Sequence, residues 1–427
     1  MSKFITVKLN ELAAPGRSVI SGPFGSNIGQ RFFKTYGVPI IRGNNLTTDF
    51  KKFNDDGFVF LTEEKADELK SDAIKDDILF TAAGTIGQVG MIPHSAKYDR
   101  YVISNKQLRF RVDPEKADPD YVYYWLASPW IYKTIVVRNT GSTVPLINLG
   151  IIKSLPVSLP KDIIEQKKIA SVLANIDEKI ALNNRINAEL EAMAKSLYDY
   201  WFVQFDFPDA KGKPYKTSGG KMEYNATLKR EIPVGWCASN ILSLVDLLGG
   251  GTPTKTNPEY WNGSIPFFTP TDSDKNIYRL KTQDSITDLG LKNSSTRLFE
   301  KNTIFITARG SVGRLAINAI PMAMNQSCYA LKAKHGVSFA FLYFLTKELI
   351  HHLEVKATGS VFNSIVSNDI EYTNLALPND IVLIDRYAKK TELAFTKIEL
   401  LTKENQQLIA LRDWLLPLLM NGQITVK

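Results

Sequence analysis

The sequence predicts an α+β fold: two globular mixed α/β domains joined by two long helices that form an antiparallel coiled coil, arranged as a pseudo-two-fold internal repeat. Three observations predict it. "TGSTVPLINLGIIKSLPVSLP", Thr140 to Pro160, returns 218 residues later as "TGSVFNSIVSNDIEYTNLALP", Thr358 to Pro378. Each copy is followed by a long segment free of glycine and proline with apolar residues spaced by seven. At 427 residues the chain exceeds one ordinary core, so several domains are expected.

The repeat extends upstream. The aromatic run "YVYYWL" from Tyr121 matches "FAFLYF" from Phe339 at the same offset, and "DDILFTAAGTIGQVG" from Asp76 faces "NTIFITARGSVGRLA" from Asn302 at an offset of 226. Farther up, "GVPIIRGNNL" from Gly37 faces "GSIPFFTPTD" from Gly263. Each copy reads as short strands rich in Ile, Val and Phe, broken by Gly, Pro and Asn turns, with one aromatic-rich helix near its end. The predicted domains are residues 1–162, a helix over 163–204, a connector plus second domain over 205–380, and a helix over 381–427.

In the first helix Ile169, Ile176, Asn183, Leu190 and Leu197 form one heptad row, and Leu173, Ile180, Asn187, Ala194 and Trp201 its companion. The second helix has Tyr387, Ala394, Leu401, Leu408 and Leu415 beside Thr391, Ile398 and Asn405. Asn187 and Asn405 occupy equivalent seam positions, where an amide either fixes register or marks a solvated gap. At roughly 1.5 Å per residue, about 40 residues make a rod of about 60 Å, the length of a spacer. Between the first helix and the second copy, Phe205 to Trp236 is rich in Pro, Gly and Lys and reads as an exposed connector.

Apolar content of 44% and charged content of 22% are those of a soluble globular chain, and no apolar run is long enough to span a membrane. The N-terminus lacks the basic start and apolar core of a signal peptide, and two cysteines, Cys237 and Cys328, suit a reducing compartment, so a cytoplasmic protein is expected. The net charge is +8, with +4 over residues 1–162, −2 over 163–206, +4 over 207–380 and +2 over 381–427. Residues 55–77 carry nine acids and three bases, which leaves the rest of the first domain near +10. Such asymmetry suits a polyanionic partner.

Catalytic motifs are mostly missing. There is no phosphate-binding "GxxxxGK[ST]", and the glycines of "GTIGQVG" and "RGSVG" fit tight turns between strands better than a dinucleotide loop. His94, His335, His351 and His352 show no metal-ligand spacing with the cysteines. "NPEY" from Asn257 is a near miss to the active-site loop of adenine methyltransferases but lacks its second proline.

What remains is recognition chemistry. Asn and Gln can bridge the major-groove edge of adenine, Arg and Lys that of guanine, and Gly or Ser turns let backbone N–H groups approach phosphates. Such residues cluster in "SGPFGSN" from Ser21, "RGNN" from Arg42, "SNKQ" from Ser104 and "RNTGST" from Arg138. The second copy has "GGGTPTKTN" from Gly249, "TPTDSDKN" from Thr269, "ARGS" from Ala308, "MNQS" from Met324 and "ATGS" from Ala357.

These features together resemble the specificity subunits of type I restriction-modification systems. The resemblance is carried by "TGSTVPLINLGIIKSLPVSLP", then "IIEQKKIASVLANIDEKIALNNRINAELEAMAKSLYDYWF", then "FDFP" and "LKREIPVGW", and it covers essentially the whole chain. The second copy departs from the pattern, lacking counterparts of Pro145, Glu165 and Gln166. The resemblance implies two target-recognition domains reading the halves of a bipartite, asymmetric double-stranded DNA target, with the helices as a ruler for a fixed gap. It implies two methyltransferase subunits that use S-adenosylmethionine on adenine N6, and restriction subunits that use ATP and Mg. The chain itself would hold no catalytic residue, metal or cofactor.

The residues expected to contact DNA in the first domain are Ser26, Asn27, Arg42, Asn44, Asn45, Asn105, Lys106, Gln107, Arg138 and Asn139. In the second they are Thr252, Lys255, Thr271, Asp272, Arg309, Asn325, Gln326 and Asn363. Two other readings stand beside this one. A stand-alone adenine methyltransferase would transfer methyl groups without a partner, and a coiled-coil adaptor for protein or RNA would bind duplex without sequence preference.

Overall fold

The computed structural model describes residues 4–141, 143–273, 276–356 and 364–426. They form two compact units, Met1–Ala181 with Gln407–Lys427, and Leu182–Gln406. Each unit takes one mixed domain and a portion of both long helices, so the helices do not stand apart as separate segments.

In the first unit, a four-stranded sheet runs in the order Val19–Ser21, Gln107–Phe110, Ile78–Thr81, Val89–Met91. A second sheet orders Phe60–Leu61, Val38–Ile41, Tyr101–Ile103 and Asp72–Ala73, with Ile40 opposite Val102 and Ile41 opposite Ile103 in a parallel pair. Strands such as Ile78–Thr81 and Val38–Ile41 are buried at every position, which explains their unbroken apolar runs. Phe4–Lys8 pairs antiparallel with Pro156–Pro160, placing the Leu159-Pro160 stop beside the start of the described chain.

The second unit repeats this topology. Val245–Gly249, Cys328–Ala333, Ile304–Thr307 and Leu315–Asn318 lie in the matching order, with Tyr278–Arg279 added at the edge. Trp261–Phe268 runs parallel to Ala323–Met324, and Trp236–Ser239 pairs antiparallel with Leu375–Pro378. Gly84, Gly87, Gly310 and Gly313 all have positive φ between paired strands, the tight turns expected of "GTIG" and "GSVG".

Two expectations change. The aromatic segment of the first copy is two helices, Pro119–Leu126 and Pro129–Val137, whereas the second copy has one, Phe339–Lys356. Pro129 lacks the N–H that would continue the first helix, and Ser128 caps the second through Ile131 N. The connector is also more ordered than its composition suggests. Phe205 and Ile232 are buried, Phe207 stacks on Trp236, and Met222–Asn225 forms a hairpin with Arg230–Pro233.

The long helices run Ile163–Tyr198 and Ile381–Met420, the first ending in a wide turn over Asp199–Val203. None of the heptad positions named above is exposed. In the first unit Ile169, Ala170 and Leu173 share a core with Leu416, Leu419 and Met420. Within the second, Asn183 Nδ2 donates to Asn405 Oδ1 at 2.9 Å and Tyr387 Oη to Ala194 O at 2.9 Å, so the two helix segments lie antiparallel there. Asn405 also donates to Asn184 Oδ1 at 2.8 Å, whereas Asn187 is half-buried and makes neither contact. No helix of the described residues is long and apolar enough to cross a membrane.

Candidate nucleic-acid interface

Five segments of the first unit meet where its strands end. Gly22 N donates to Gln107 O (2.9 Å), Ser104 N to Ile41 O (3.0 Å), Ala82 N to Lys106 O (2.7 Å) and Ile147 N to Ala82 O (2.8 Å). The second unit makes three of these contacts at matched places, Asn325 N to Phe268 O (3.0 Å), Ala308 N to Ser327 O (2.8 Å) and Ile365 N to Ala308 O (2.9 Å), and ties the segment after Gly249 to the same turn through Gly251 N to Met324 O (3.0 Å). Among the described residues, the turns that these bonds join are therefore neighbours within each unit, while "ATGS" from Ala357 lies outside the described residues. Close approach demands glycine at matched places: a Cβ on Gly22 would lie 1.8 Å from Ser104 O, and one on Gly250 2.1 Å from Asn325 O.

The first unit carries a cleft of about 650 Å³ lined by Gly25, Arg42, Asn44, Ser104, Asn105 and Lys106 among others. Four of those were expected DNA contacts. Ser26 and Asn27 sit on the adjoining turn Gly25–Asn27, and both are exposed, as are Asn44, Asn105 and Lys106. Arg42 is half-buried, donating from Nη2 to Gly57 O at 3.2 Å. On the neighbouring segment Arg138 donates to Ser154 Oγ at 3.1 Å, while Asn139 Oδ1 accepts from Gly141 N and Leu146 N, shaping its own loop.

Three expected contacts turn out to be internal. Asn45 is fully buried: its Oδ1 accepts from Arg42 N at 2.9 Å, and its Nδ2 donates to Asn54 O and Asp56 O. It closes the turn Gly43–Asn45 and offers DNA nothing. Asp272 does the same for Pro270–Asp272, accepting from Thr269 N, Thr269 Oγ1 and Gln283 N at 2.8 Å each. Burial lowers the neighbouring Arg279 guanidinium to about 10, against the pull of Asp272 in the other direction. Gln107 is buried on its strand, bonded to the Ser104 hydroxyl, with its Nε2 behind the cleft near Gly43.

In the second unit Lys255, Thr271, Arg309 and Gln326 are exposed, and Thr252 and Asn325 half-buried. Thr252 bonds Gln326, and Asn325 Oδ1 accepts from Ser327 N at 3.0 Å, so the turn after Met324 is braced as its first-unit counterpart is. Asn363 lies outside the described residues.

Sequence reading missed the braces between loops. Gln88 donates to Leu46 O at 3.1 Å and accepts from Thr81 Oγ1 at 2.8 Å; at the matched position Arg314 donates to Ser273 O at 3.0 Å. Each ties the turn after the parallel strand to the glycine turn. The signal was present, since both residues follow the second glycine of the repeated glycine turn. "NPEY" is a local turn: Asn257 caps Pro258–Tyr260, accepting from Glu259 N at 3.1 Å. Cys237 and Cys328 are free thiols.

Each unit thus presents exposed amides, hydroxyls and cations from turns fixed by backbone bonds. That set can pair with base edges and phosphates.

The pattern that defines the "Type I restriction modification DNA specificity domain" matches residues 26–192 and again 233–408. The chain is 25% identical over 378 residues to the type I restriction enzyme HindI specificity subunit of Haemophilus influenzae, covering 76% of this chain and 82% of that one. It is 26% identical over 361 residues to the MjaIX specificity subunit of Methanocaldococcus jannaschii, covering 83% and 78%. The fold resembles the crystal structure of a type I restriction-modification S subunit from M. genitalium, with TM-score 0.57 and 17% identity over 97% of this chain and 96% of that one.

Proposed function

This chain belongs to the family of type I restriction-modification specificity subunits, and on that premise we propose that it reads a bipartite, asymmetric DNA target with a fixed gap, one half per unit. The observation that carries the reading is the matched ring of loops. Two units built on one backbone scheme present different side chains at equivalent positions, such as Asn44 against Thr271, Asn105 against Gln326 and Lys106 against Ser327. Shared scaffold with divergent tips is what two readers of different sequences require.

In this reading the chain contributes no catalytic group. Methyltransferase subunits bring S-adenosylmethionine and receive the target adenine in their own pocket, and restriction subunits bring ATP and Mg. The long helices Ile163–Tyr198 and Ile381–Met420 serve as the paired ruler, which makes binding depend on both spacing and helical phase. All of this takes place in the cytoplasm, where the DNA and partner subunits are.

Co-expression with the cognate methyltransferase subunit, followed by mapping of methylated adenines, tests the proposal. The expected result is a two-part motif with one gap length, and exchange of residues 1–160 for those of a relative alters one half only. Methylation by the isolated chain, or a change in both halves, refutes it.

A further inference from the structure

Phe24 of the first unit is 84% exposed, and Tyr36 and Val137 are comparably so, but it alone of the three lies in a loop whose neighbours line the cleft, and its backbone is held by hydrogen bonds. It lies in the loop between Gly22, whose N–H is bonded to Gln107 O, and the turn Gly25–Asn27, which closes through Asn27 N to Phe24 O at 2.9 Å. Gly25 packs so closely on Asn105 that a Cβ there would lie 3.1 Å from its Nδ2. An aromatic ring is thus projected from fixed backbone beside Ser26, Asn27 and Asn105, at the rim of the cleft that holds Arg42, Asn44 and Lys106. Leaving a phenylalanine in water forgoes the free energy that its burial would contribute.

The second unit supplies an internal control. Gly250 occupies the place of Gly22, so the counterpart of Phe24 is Thr252, which is half-buried and bonded to Gln326. One loop presents an apolar ring; the other folds a hydroxyl back onto its neighbour. Apolar side chains among phosphate- and base-binding groups enter duplex DNA between base steps and unstack them, and extruding a base leaves a gap that such a ring fills.

We propose that Phe24 is a wedge that enters the base stack of the first half-site when its target adenine is extruded. The proposal rests on the DNA-reading function above. It makes extrusion at the first half-site depend on this chain's own side chain, and extrusion at the second independent of any aromatic in the equivalent loop.

The test uses the full chain with its methyltransferase subunits and a duplex carrying the mapped target, with methyl transfer measured separately at each half. Phe24→Ala should slow the first half roughly 10- to 100-fold, leave the second half and the melting temperature unchanged, and be relieved when the first target adenine is mispaired. Phe24→Trp should recover most of what Phe24→Ala loses. An unchanged rate, an equal loss in both halves, or a loss that mispairing does not relieve overturns the wedge. If the unsubstituted complex methylates neither half, the DNA-reading function itself fails, and the wedge with it.

Discussion

Arg412 Nη1 lies 2.8 Å from Asp177 Oδ1 inside the first unit, and Tyr124 Oη donates to the other carboxylate oxygen at 2.8 Å. The guanidinium also sits 4.3 Å above the Phe50 ring and donates to Asp49 O at 3.3 Å. Burial pushes the Asp177 carboxyl up, and the bonds from Arg412 and Tyr124 oppose it without prevailing. At the repeat offset of 218, the corresponding residues of the second unit are Leu342, Phe395 and Ala194, all buried in an apolar core. One fold thus accepts either a polar trio or an apolar one. Buried ion pairs seldom outdo apolar packing in stability, so the polar trio is not expected to make the first unit more stable than the second.

Breaking that trio should cost far more than replacing it. Arg412→Ala leaves the half-buried Asp177 carboxylate without its cation, and a loss of about 1.5–3 kcal/mol is expected in chemical unfolding. Transplanting the second unit's residues as Tyr124→Leu, Asp177→Phe and Arg412→Ala together should cost much less. Equal losses in the single and triple variants would contradict the argument.

The seam asparagines make a similar prediction in the second unit. Asn405 is bonded on both sides, to Asn183 and Asn184, so Asn405→Ala should destabilise by about 1–3 kcal/mol. Replacing Asn183 and Asn405 together by Leu should restore the unfolding midpoint while loosening register. Spin labels on the two helices, read as a distance distribution, check this: a single narrow distance in the double variant would remove the register role.

The architecture was legible because burial leaves a period in the sequence: the heptad rows and the all-apolar strands both follow from which faces avoid water. The loop surface was legible by composition and by duplication. Asn45 and Asp272 are buried and close turns, which composition could not foretell, because the amide or carboxylate that can pair with a base is equally suited to close a turn. Their position three residues after Arg42 and Thr269 was the available signal. Nothing local could link Tyr124, Asp177 and Arg412, because their meeting depends on how the helices pack. Phe24 within "SGPFGSN" carries no polar signal, and only the fold shows that its side chain is left in water.

A pH dependence follows from Glu399, which accepts from Lys301 and Lys403 at 2.7 and 2.6 Å. Burial alone would raise its carboxyl, but those two ammonium groups outweigh it and hold it below the usual range. A lowered carboxyl contributes stability above its unfolded pKa, and that contribution is lost as pH falls through the folded one. Acid unfolding of Glu399→Gln should therefore lack a component below about pH 4.5 that the natural chain shows. The difference should be modest and shrink with salt, because both lysine partners of the buried Glu399 reach solvent. Coincident acid-unfolding curves would remove Glu399 from the account.

Lys106 and Asn105 are neighbours on one exposed turn, yet they should behave differently toward DNA. A lysine ammonium neutralises phosphate charge whatever the sequence, so Lys106→Ala should weaken binding to target and non-target duplexes alike and lower the salt slope by about 1. An asparagine amide matches the edge of one base, so Asn105→Ala should leave non-target binding and its salt slope intact. It should cost about 1–3 kcal/mol on the target and relax preference at a single position of the first half. Binding measured against salt for both duplexes, together with the methylation map of each variant, separates the two. If Asn105→Ala lowered the salt slope, or Lys106→Ala altered sequence preference, the division of labour within this turn would be reversed, and with it the assignment of which side chains face the groove.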